Sequence, residues 1–261
     1  MVGEVQRWAL VLGGSSGLGL ATIKKLATHG YGILMVHRDR RTELPRIEGE
    51  IDDIRALGVP CEHFNVDATA LDKQQELVAR FRTLLGEQTI HVVVHSIAKG
   101  NLKPLWGPKE DRLGHADLQL TLNAMAHSFY DWAKALVDAG LLGDDARLLA
   151  FTSEGNSRAW PTYAAVSAAK AALEALMRNM ALEFAPLGIK VNCIQAGVTD
   201  TPSFRRIPGH EQLKENALKR NPNKRLTTPE DVANVVYLMT LDEAKWITGT
   251  VIKADGGESL L

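Results

Sequence analysis

A glycine-rich segment near the start of the chain constrains the fold more than any other feature. Trp8–Leu12 is an uninterrupted apolar run, as expected for a strand buried on both faces. Residues 13–19 read Gly-Gly-Ser-Ser-Gly-Leu-Gly, and a helical pattern continues over residues 20–29. Glycines let a pyrophosphate approach the backbone amides at a helix N-terminus, so the segment predicts a dinucleotide-binding turn, with a plain tight turn as the alternative. The candidate contacts are Gly13, Ser15, Ser16, Gly17, Leu18 and Gly19.

Strand-like and helical segments alternate along the whole chain. The predicted strands span residues 8–12, 32–37, 60–66, 91–95, 147–152, 188–194 and 250–253. The later predicted helices span residues 47–57, 71–85, 118–136, 164–184 and 229–239, the last with Thr228 as its N-cap. This alternation indicates an α/β fold, a Rossmann-type doubly wound parallel sheet of about seven strands flanked by helices. Ligands of such sheets bind beyond the carboxyl ends of the strands.

Length and composition fit a single domain. The 261 residues contain no internal repeat, low-complexity tract or linker, so one domain over residues 1–261 is predicted, with the polar residues 203–226 as a lid over the substrate (the lid segment). A formal net charge of -1 argues against nucleic-acid binding. No apolar run reaches the ~18 residues of a membrane span. Residues 1–8 lack the basic and apolar regions of a signal peptide, so we expect a cytoplasmic protein.

Neither the cysteines nor the histidines indicate a reactive or metal-binding site. Cys61 and Cys193 lie in apolar runs, which is typical of small buried hydrophobic side chains. The eight histidines show no cluster with metal-ligand spacing, and only His91 and His95 flank one short strand-like run. No metal site is predicted.

The end of the second strand indicates which dinucleotide binds. NAD-preferring sites usually carry an acidic residue there, whereas an arginine accommodates the 2′-phosphate of NADP. His37 and Arg38 occupy this place, so we predict NADPH; Asp39 leaves NADH open, and a solvated basic turn is the alternative. After the third strand, Asp67 can accept a hydrogen bond from the adenine amino group, and Ala68 lies beside it.

A tyrosine and a lysine share one face of a long Ala-rich helix. Residues 163–170 read Tyr-Ala-Ala-Val-Ser-Ala-Ala-Lys. Seven residues at 3.6 per turn make nearly two turns, so Tyr163 and Lys170 lie on the same side. Asn123 lies inside a predicted helix, where asparagine is mildly unfavourable, and Ser153 ends the fifth strand. These four residues are the candidate catalytic groups.

Together these residues resemble the short-chain dehydrogenase/reductase superfamily over the whole chain. The matching features are the glycine-rich loop, Asp67, Asn123, Ser153, Lys170 and an Ala-Gly turn at residues 196–197. The ordinary catalytic spacing of that superfamily is Tyr-x-x-x-Lys, but here Val166 stands four residues before Lys170. The Tyr-x6-Lys spacing, the His-Ser-Ile-Ala segment at 95–98 and the Ala-Gly turn are similar to the enoyl-[acyl-carrier-protein] reductases. Residues 255–261 are similar to their NADPH-using branch.

The resemblance implies a role for each candidate. Tyr163 would donate a hydrogen bond to the enolate oxygen of a reduced 2-enoyl thioester, and Lys170 would hold the nicotinamide ribose. Asn123 would polarise a water relay or only pin a helix kink, and Ser153 would orient the substrate or cap the strand end. Further cofactor contacts are expected from Ser96, Ile97, Ala98, Ala196, Gly197, Val198, Thr199 and Thr201.

The predicted function is an NADPH-dependent enoyl-acyl carrier protein or enoyl-CoA reductase of fatty-acid synthesis. Asn123 and Ser153 are ordinary short-chain features, so a carbonyl reductase such as a 3-oxoacyl-thioester reductase stays open. Val166 in the ordinary tyrosine position would also permit a non-catalytic nucleotide-binding regulator.

The expected partners follow from charge and from the resemblance. The lid segment carries seven basic residues against two glutamates, which suits an acidic carrier protein or the phosphates of coenzyme A, although a solvated loop is the alternative. The basic residues are Arg205, Arg206, Lys214, Lys219, Arg220, Lys224 and Arg225. The resemblance implies a homodimer or homotetramer, and no nucleic-acid or membrane partner is expected.

Overall fold

The strands at the centre of the molecule are apolar on both faces. The computed structural model describes residues 7–261. In the first strand, β1 (Trp8–Leu12), Ala9 and Val11 contact one hydrophobic core, whereas Leu10 and Leu12 contact another. Because successive side chains of a strand point to opposite faces, such a strand needs helices on both sides of the sheet.

The strands of residues 7–261 form one parallel sheet of seven. After β1 they are β2 (Gly32–His37), β3 (Cys61–Asn65), β4 (Ile90–His95), β5 (Leu142–Thr152), β6 (Lys190–Ala196) and β7 (Val251–Ala254). Their order in the sheet is β3-β2-β1-β4-β5-β6-β7, which confirms the predicted doubly wound arrangement. The order reverses between β1 and β4, so a ligand crevice is expected at their carboxyl ends.

Helices cover both faces of this sheet. In chain order they are α1 (Gly17–Ala27), α2 (Leu44–Arg55), α3 (Leu71–Leu85), α4 (His115–Leu122), α5 (Ser128–Asp138), α6 (Ala164–Glu183), α7 (His210–Arg220) and α8 (Pro229–Leu238). The apolar sides of α1, α2 and α8 pack on one face, and those of α3, α5 and α6 pack on the other. The predicted N-cap of α8 is confirmed, since Thr228 Oγ1 accepts from the Asp231 amide at 3.3 Å.

A π-helical turn, Asn123–His127, divides the single helix that was predicted over residues 118–136. Apolar periodicity does not reveal such a turn, and π-helical turns often mark functional sites. Other differences concern element ends: β5 begins at Leu142 rather than at 147, and α1 begins at Gly17 rather than at 20. The lid segment is not an open loop, because it contains a short 3-10 turn, Phe204–Arg206, followed by α7.

The prediction that the chain lacks a signal peptide falls mostly on residues 1–6, which lie outside the described residues. Among residues 7–261, no helix combines the length and the apolarity that crossing a bilayer requires.

Candidate active site

A cavity of about 400 Å³ lies at the carboxyl ends of β1, β4, β5 and β6. Its wall consists of the loops after these strands, the first turns of α6, part of the lid segment and the C-terminal turn. This is where the strand order predicts a ligand. Most of the candidate cofactor contacts lie on this wall: Gly13, Ser16, Gly17, Leu18, Ser96, Ile97, Ala98, Lys170, Ala196, Gly197, Val198, Thr199 and Thr201.

The glycine-rich loop leaves its backbone open to the cavity. Gly13 has a φ of 87°, which favours glycine, and a Cβ there would lie 2.6 Å from the Ser96 carbonyl oxygen. A Cβ on Gly17 would lie 3.3 Å from the methyl carbon of Thr201. The loops after β1, β4 and β6 therefore converge around bare backbone at the start of α1. This arrangement fits a pyrophosphate, whose charge would face the amides of the first helical turn.

Tyr163 occupies the N-cap position of α6 and lines the cavity. Its ring packs edge-to-face on Trp160, with the centroids 5.0 Å apart. On another side, a Cβ added to Gly155 would lie 2.5 Å from Cε1 of the tyrosine. The preceding Thr162 has a φ of 64°, a conformation that costs about 1–3 kcal/mol in a non-glycine residue. The surrounding fold thus holds the phenol in place despite local backbone strain.

The Tyr163 phenol can serve as a hydrogen-bond donor at neutral pH. Burial raises the pKa of the phenol, and the neighbouring Ser153 hydroxyl opposes this rise in part. Ser153 Oγ is buried, yet it makes no hydrogen bond of good geometry with any group of residues 7–261. Beside the buried phenol, this hydroxyl keeps hydrogen-bonding capacity that a substrate can use.

The ammonium group of Lys170 is buried two turns further along α6. Its Nζ donates a hydrogen bond to the carbonyl oxygen of Phe151 at 2.7 Å, which leaves two N–H groups for a ligand. Burial lowers the pKa of Lys170 to about 8, although the nearby carboxylate of Glu174 opposes this fall. The side chain is therefore close to its titration point in the physiological range.

Val166 adds an apolar surface to the same wall. It belongs to a small buried cluster with Met125, Tyr163 and Ala169. Partly buried apolar side chains pack against this cluster: Leu102, Leu122, Trp160 and Ile207. The cavity therefore combines hydrogen-bonding groups with an apolar patch, which suits a ligand with both polar and apolar groups.

Asn123 is not brought to the cavity. It begins the π-helical turn and its side chain is exposed, whereas Met125 of the same turn lines the cavity. The wider turn changes which face of the helix meets the cavity, and this change could not be read from the sequence. Asn123 is therefore withdrawn as a catalytic candidate.

The ring of His37 is buried and contacts neighbouring side chains of the protein. It is fully enclosed, with Nδ1 2.9 Å from Asp39 Oδ2 and Nε2 3.3 Å from His63 Nδ1. Burial lowers the pKa of His37, which favours a neutral ring. Because β2 is apolar on both faces, the sequence does not show to which side its last residue turns. The prediction of a side-chain contact between His37 and a cofactor phosphate is withdrawn.

Arg38 and Asp67 form an ion pair near the ends of β2 and β3. Arg38 Nη1 donates to Asp67 Oδ2 at 2.5 Å, and Lys99 Nζ donates to the same oxygen at 3.2 Å. Burial alone would raise the pKa of Asp67, but hydrogen bonds from Thr69 and Lys99 hold it well below its usual range. Neither Arg38 nor Asp67 lines the cavity, so both stay predictions as cofactor contacts.

Three other candidates lie behind the cavity wall. The carbonyl oxygen of Ser15 accepts from Arg46 Nη1 at 3.2 Å, and that of Ala68 accepts from Trp132 Nε1 at 2.8 Å. Gly19 packs directly on the backbone of Gly13, so a side chain there would displace the loop. These contacts shape the loops, and a direct role at the cofactor stays a prediction.

Arg220, at the end of α7, joins the lid segment to other walls of the cavity. Its Nη1 and Nη2 donate to the two carboxylate oxygens of Glu154 at 3.1 and 2.6 Å. Its Nη2 also donates to the Glu258 carbonyl oxygen at 3.0 Å. Glu258 is buried, and its Oε2 accepts from the Val198 amide at 3.0 Å. One chain of hydrogen bonds therefore links the lid segment, the loop after β5, the C-terminal turn and the loop after β6.

Some of these side chains were not candidates in the sequence. Glu174 has a usable signal, because it stands four residues after Lys170 on the same helix face. The sequence contains no such signal for Glu154, because its ion-pair partner Arg220 is 66 residues away along the chain. Trp160 supports the tyrosine ring from a loop, where no periodicity indicates the contact.

The two histidines of β4 make contacts within the protein. His91 Nδ1 lies 2.9 Å from the hydroxyl of Tyr31, and His95 Nε2 lies 2.8 Å from Ser128 Oγ. Burial lowers the pKa of His91 to about 4 and that of His95 to about 3, so both rings are neutral. The two cysteines are buried free thiols, as predicted.

Comparison with known proteins assigns the chain to a family independently of the site geometry. A family model described as Enoyl-(Acyl carrier protein) reductase matches residues 13–259. The uncharacterized oxidoreductase YjdA of Bacillus subtilis is 28% identical over 97% of this chain and 96% of its own. The 1-cyclohexenylcarbonyl-CoA reductase of Streptomyces collinus is 28% identical over 97% of this chain and 87% of its own.

A solved structure, the enoyl-[acyl-carrier-protein] reductase (NADH) from Aquifex aeolicus, superposes with a TM-score of 0.85 at 23% identity. The match covers 98% of this chain and 97% of that one, and at this identity it concerns the fold alone. A nicotinamide cofactor is common to the superfamily, and the open glycine-rich loop fits one. The chain is an oxidoreductase of the short-chain dehydrogenase/reductase superfamily and belongs to the family described as Enoyl-(Acyl carrier protein) reductase.

Proposed function

We propose that this oxidoreductase uses NADPH to reduce the carbon–carbon double bond of a trans-2-enoyl thioester. The observation that carries the proposal is the cavity wall along α6, where Tyr163 stands seven residues before Lys170 and Val166 stands four before it. Compared with a Tyr-x-x-x-Lys enzyme, the phenol is displaced towards the helix start by about 4–5 Å, at 1.5 Å per residue. The valine that takes the ordinary position cannot donate a proton.

The displacement agrees with the geometry of conjugate reduction. Reducing a ketone puts hydride on the carbonyl carbon and a proton on the attached oxygen, so the acid stands beside the hydride acceptor. Reducing a 2-enoyl thioester puts hydride on C3, while negative charge develops on the thioester oxygen two carbons away. A donor further along the cavity serves the second reaction.

Each polar group on the wall has a task under this proposal. Bound reduced nicotinamide would supply the hydride. The Tyr163 hydroxyl would donate to the enolate oxygen, since a fixed donor in a buried site acts where charge develops. Lys170 would hold the ribose hydroxyls with the two N–H groups that its bond to Phe151 leaves, and its charge would help the phenol to pass on a proton. Ser153 would orient the thioester.

The relatives favour the same kind of substrate. The compound 1-cyclohexenylcarbonyl-CoA, in the name of the Streptomyces relative, is a thioester conjugated to a carbon–carbon double bond. The matching family is also described by an enoyl substrate. A carbonyl reductase would need another proton donor where this chain has Val166.

Substrate discrimination tests the proposal. NADPH oxidation is followed with crotonyl thioester and, separately, with acetoacetyl thioester. We expect turnover of the crotonyl substrate alone. Turnover of the acetoacetyl substrate alone would identify a carbonyl reductase, and NADPH binding without turnover of either would indicate a nucleotide-binding regulator.

The preferred cofactor under this proposal is NADPH, because Arg38 is exposed at the end of β2 and a 2′-phosphate can replace Asp67 as its partner. We expect Arg38→Ala to weaken NADPH binding about 10- to 100-fold, since a hydrogen bond to a charged group is worth about 1.5–3 kcal/mol. NADH binding should change less than about twofold. Cofactor fluorescence measures both affinities, and Arg82→Ala, at the exposed end of α3, is the control. Equal losses for the two cofactors would contradict a phosphate contact.

The group that carries the thioester is proposed to meet Arg206. Four basic residues of the lid segment already have carboxylate partners: Arg205, Lys214, Arg220 and Arg225. Arg206 is exposed, lines the cavity and forms no ion pair within residues 7–261. It is therefore the basic side chain best placed for a phosphate of coenzyme A or of an acyl carrier protein.

Arg206→Glu should raise KM for a phosphate-bearing thioester about tenfold or more, because an attractive charge becomes a repulsive one. The kcat of this variant should equal that of the wild type. Its KM for an N-acetylcysteamine thioester, which has no phosphate, should also be unchanged. Lys219→Glu reverses a charge of the same lid segment, on α7 and not on the cavity wall, and it serves as the control. An unchanged KM in Arg206→Glu would remove the docking role.

A further inference from the structure

Glu174 is a buried carboxylate directly behind the cavity. It follows Lys170 by four residues on α6, so the two side chains share one helix face. It is 8% exposed and does not line the cavity, so it does not touch a substrate there. A buried charge is costly unless it is paired and hydrogen-bonded, and the position of Glu174 therefore needs a reason.

Two hydrogen bonds fix the carboxylate to the loop after β5. Glu174 Oε1 accepts from Thr152 Oγ1 at 2.6 Å and from Asn156 Nδ2 at 2.5 Å. Thr152 ends β5, and Asn156 ends the short 3-10 turn that follows. The residue between β5 and this turn is Ser153, so Glu174 ties the segment that carries this hydroxyl to the helix that carries Lys170.

The charges around Lys170 single out the same carboxylate. Cys193 faces the ammonium from β6, and burial raises the pKa of its thiol to about 12, so it is neutral. His95 faces it from β4 and is neutral too, because burial lowers its pKa to about 3. Arg178, one turn beyond Glu174, acts on Cys193 and adds positive charge. Among the described groups that face Lys170, Glu174 is the one that supplies negative charge.

We propose that Glu174 is a positioning residue for cofactor binding: its charge favours the ammonium form of Lys170, and its hydrogen bonds to Thr152 and Asn156 fix the Ser153 segment beside the carbonyl that Lys170 binds. The inference rests on Lys170 as the ribose-binding group, not on the identity of the substrate. A protein that binds NADPH as expected below but reduces no enoyl thioester would fail the proposed function and leave this inference intact.

Glu174→Gln tests the charge with little change in hydrogen bonding. The amide oxygen can accept from both Thr152 and Asn156, and the new NH2 group can donate to Asn156 Oδ1, a buried acceptor that has no partner among the described residues. NADPH affinity is measured by fluorescence from mildly acidic to alkaline pH. In the wild type, binding should weaken as Lys170 loses its proton near pH 8. The midpoint should fall by about one pH unit in the variant, which weakens binding near that pH about fivefold and leaves it unchanged at lower pH.

Controls separate this role from a purely structural one. Glu183→Gln removes an exposed charge from the end of the same helix and should leave the midpoint unchanged. A loss of affinity that is equal at every pH in Glu174→Gln, or a midpoint equal to that of the wild type, would overturn the proposal. If circular dichroism shows that Glu174→Gln does not fold, Glu174→Asp decides. It keeps the negative charge, so its midpoint should stay near the wild-type value, and a fall of a full pH unit in this variant would overturn the proposal.

Discussion

Tyr163→Phe should lower kcat for a trans-2-enoyl thioester by about 10²–10³ and leave NADPH affinity unchanged. This is the size of effect that follows the loss of one fixed donor to a developing oxyanion. The phenylalanine ring can keep the packing on Trp160 and against Gly155, so the variant removes the hydroxyl and little else. KM should change little, because the hydrogen bond is strongest when charge has developed on the oxygen.

Tyr130→Phe is the matched control, since Tyr130 is an exposed tyrosine on α5 that does not line the cavity. It should retain wild-type kcat and KM. A Tyr163→Phe protein that saturates the double bond at the wild-type rate would remove the phenol from the mechanism. A large rise in KM at constant kcat would make the phenol a binding group instead.

The strands and most helices could be predicted because their signals lie within a few residues of each other. The apolar runs Trp8–Leu12 and Gly32–His37 are strands with those bounds. The helical period over Leu71–Leu85 predicts both ends of α3 correctly. The spacing of Tyr163 and Lys170 could be used in the same way, because helix periodicity alone brings both side chains to one face.

Other features of the site depend on contacts that are remote in sequence or on turns without a pattern. The π-helical turn that begins at Asn123 leaves no mark in the apolar period, so the outward direction of that side chain could not be foreseen. His37 ends a strand buried on both faces, where neither face looks different in sequence. Arg220 was expected to contribute to the basic docking surface, but it forms an ion pair with Glu154 that fixes the lid segment to the rest of the protein. Only the fold brings these two residues together.

Lys170→Met should weaken NADPH binding about 10- to 100-fold and remove the pH dependence expected of the wild type. Losing charged hydrogen bonds to the ribose accounts for the affinity, at about 1.5–3 kcal/mol. The ammonium is the binding form, and burial lowers its pKa to about 8. Wild-type kcat/KM for the enoyl thioester should therefore be constant below that pH and fall as the pH rises through it.

The fall can be assigned to Lys170 because the other group in the mechanism titrates outside this window. Burial raises the pKa of the Tyr163 phenol above its ordinary value, so the phenol stays protonated while the lysine is losing its proton. Lys170→Met should be slow at every pH, with no alkaline fall near pH 8. Lys134→Met removes an exposed ammonium on α5 and should keep the wild-type profile. If Lys170→Met retained the alkaline fall, a different group would be titrating, and the assignment of Lys170 to the ribose would lose its support.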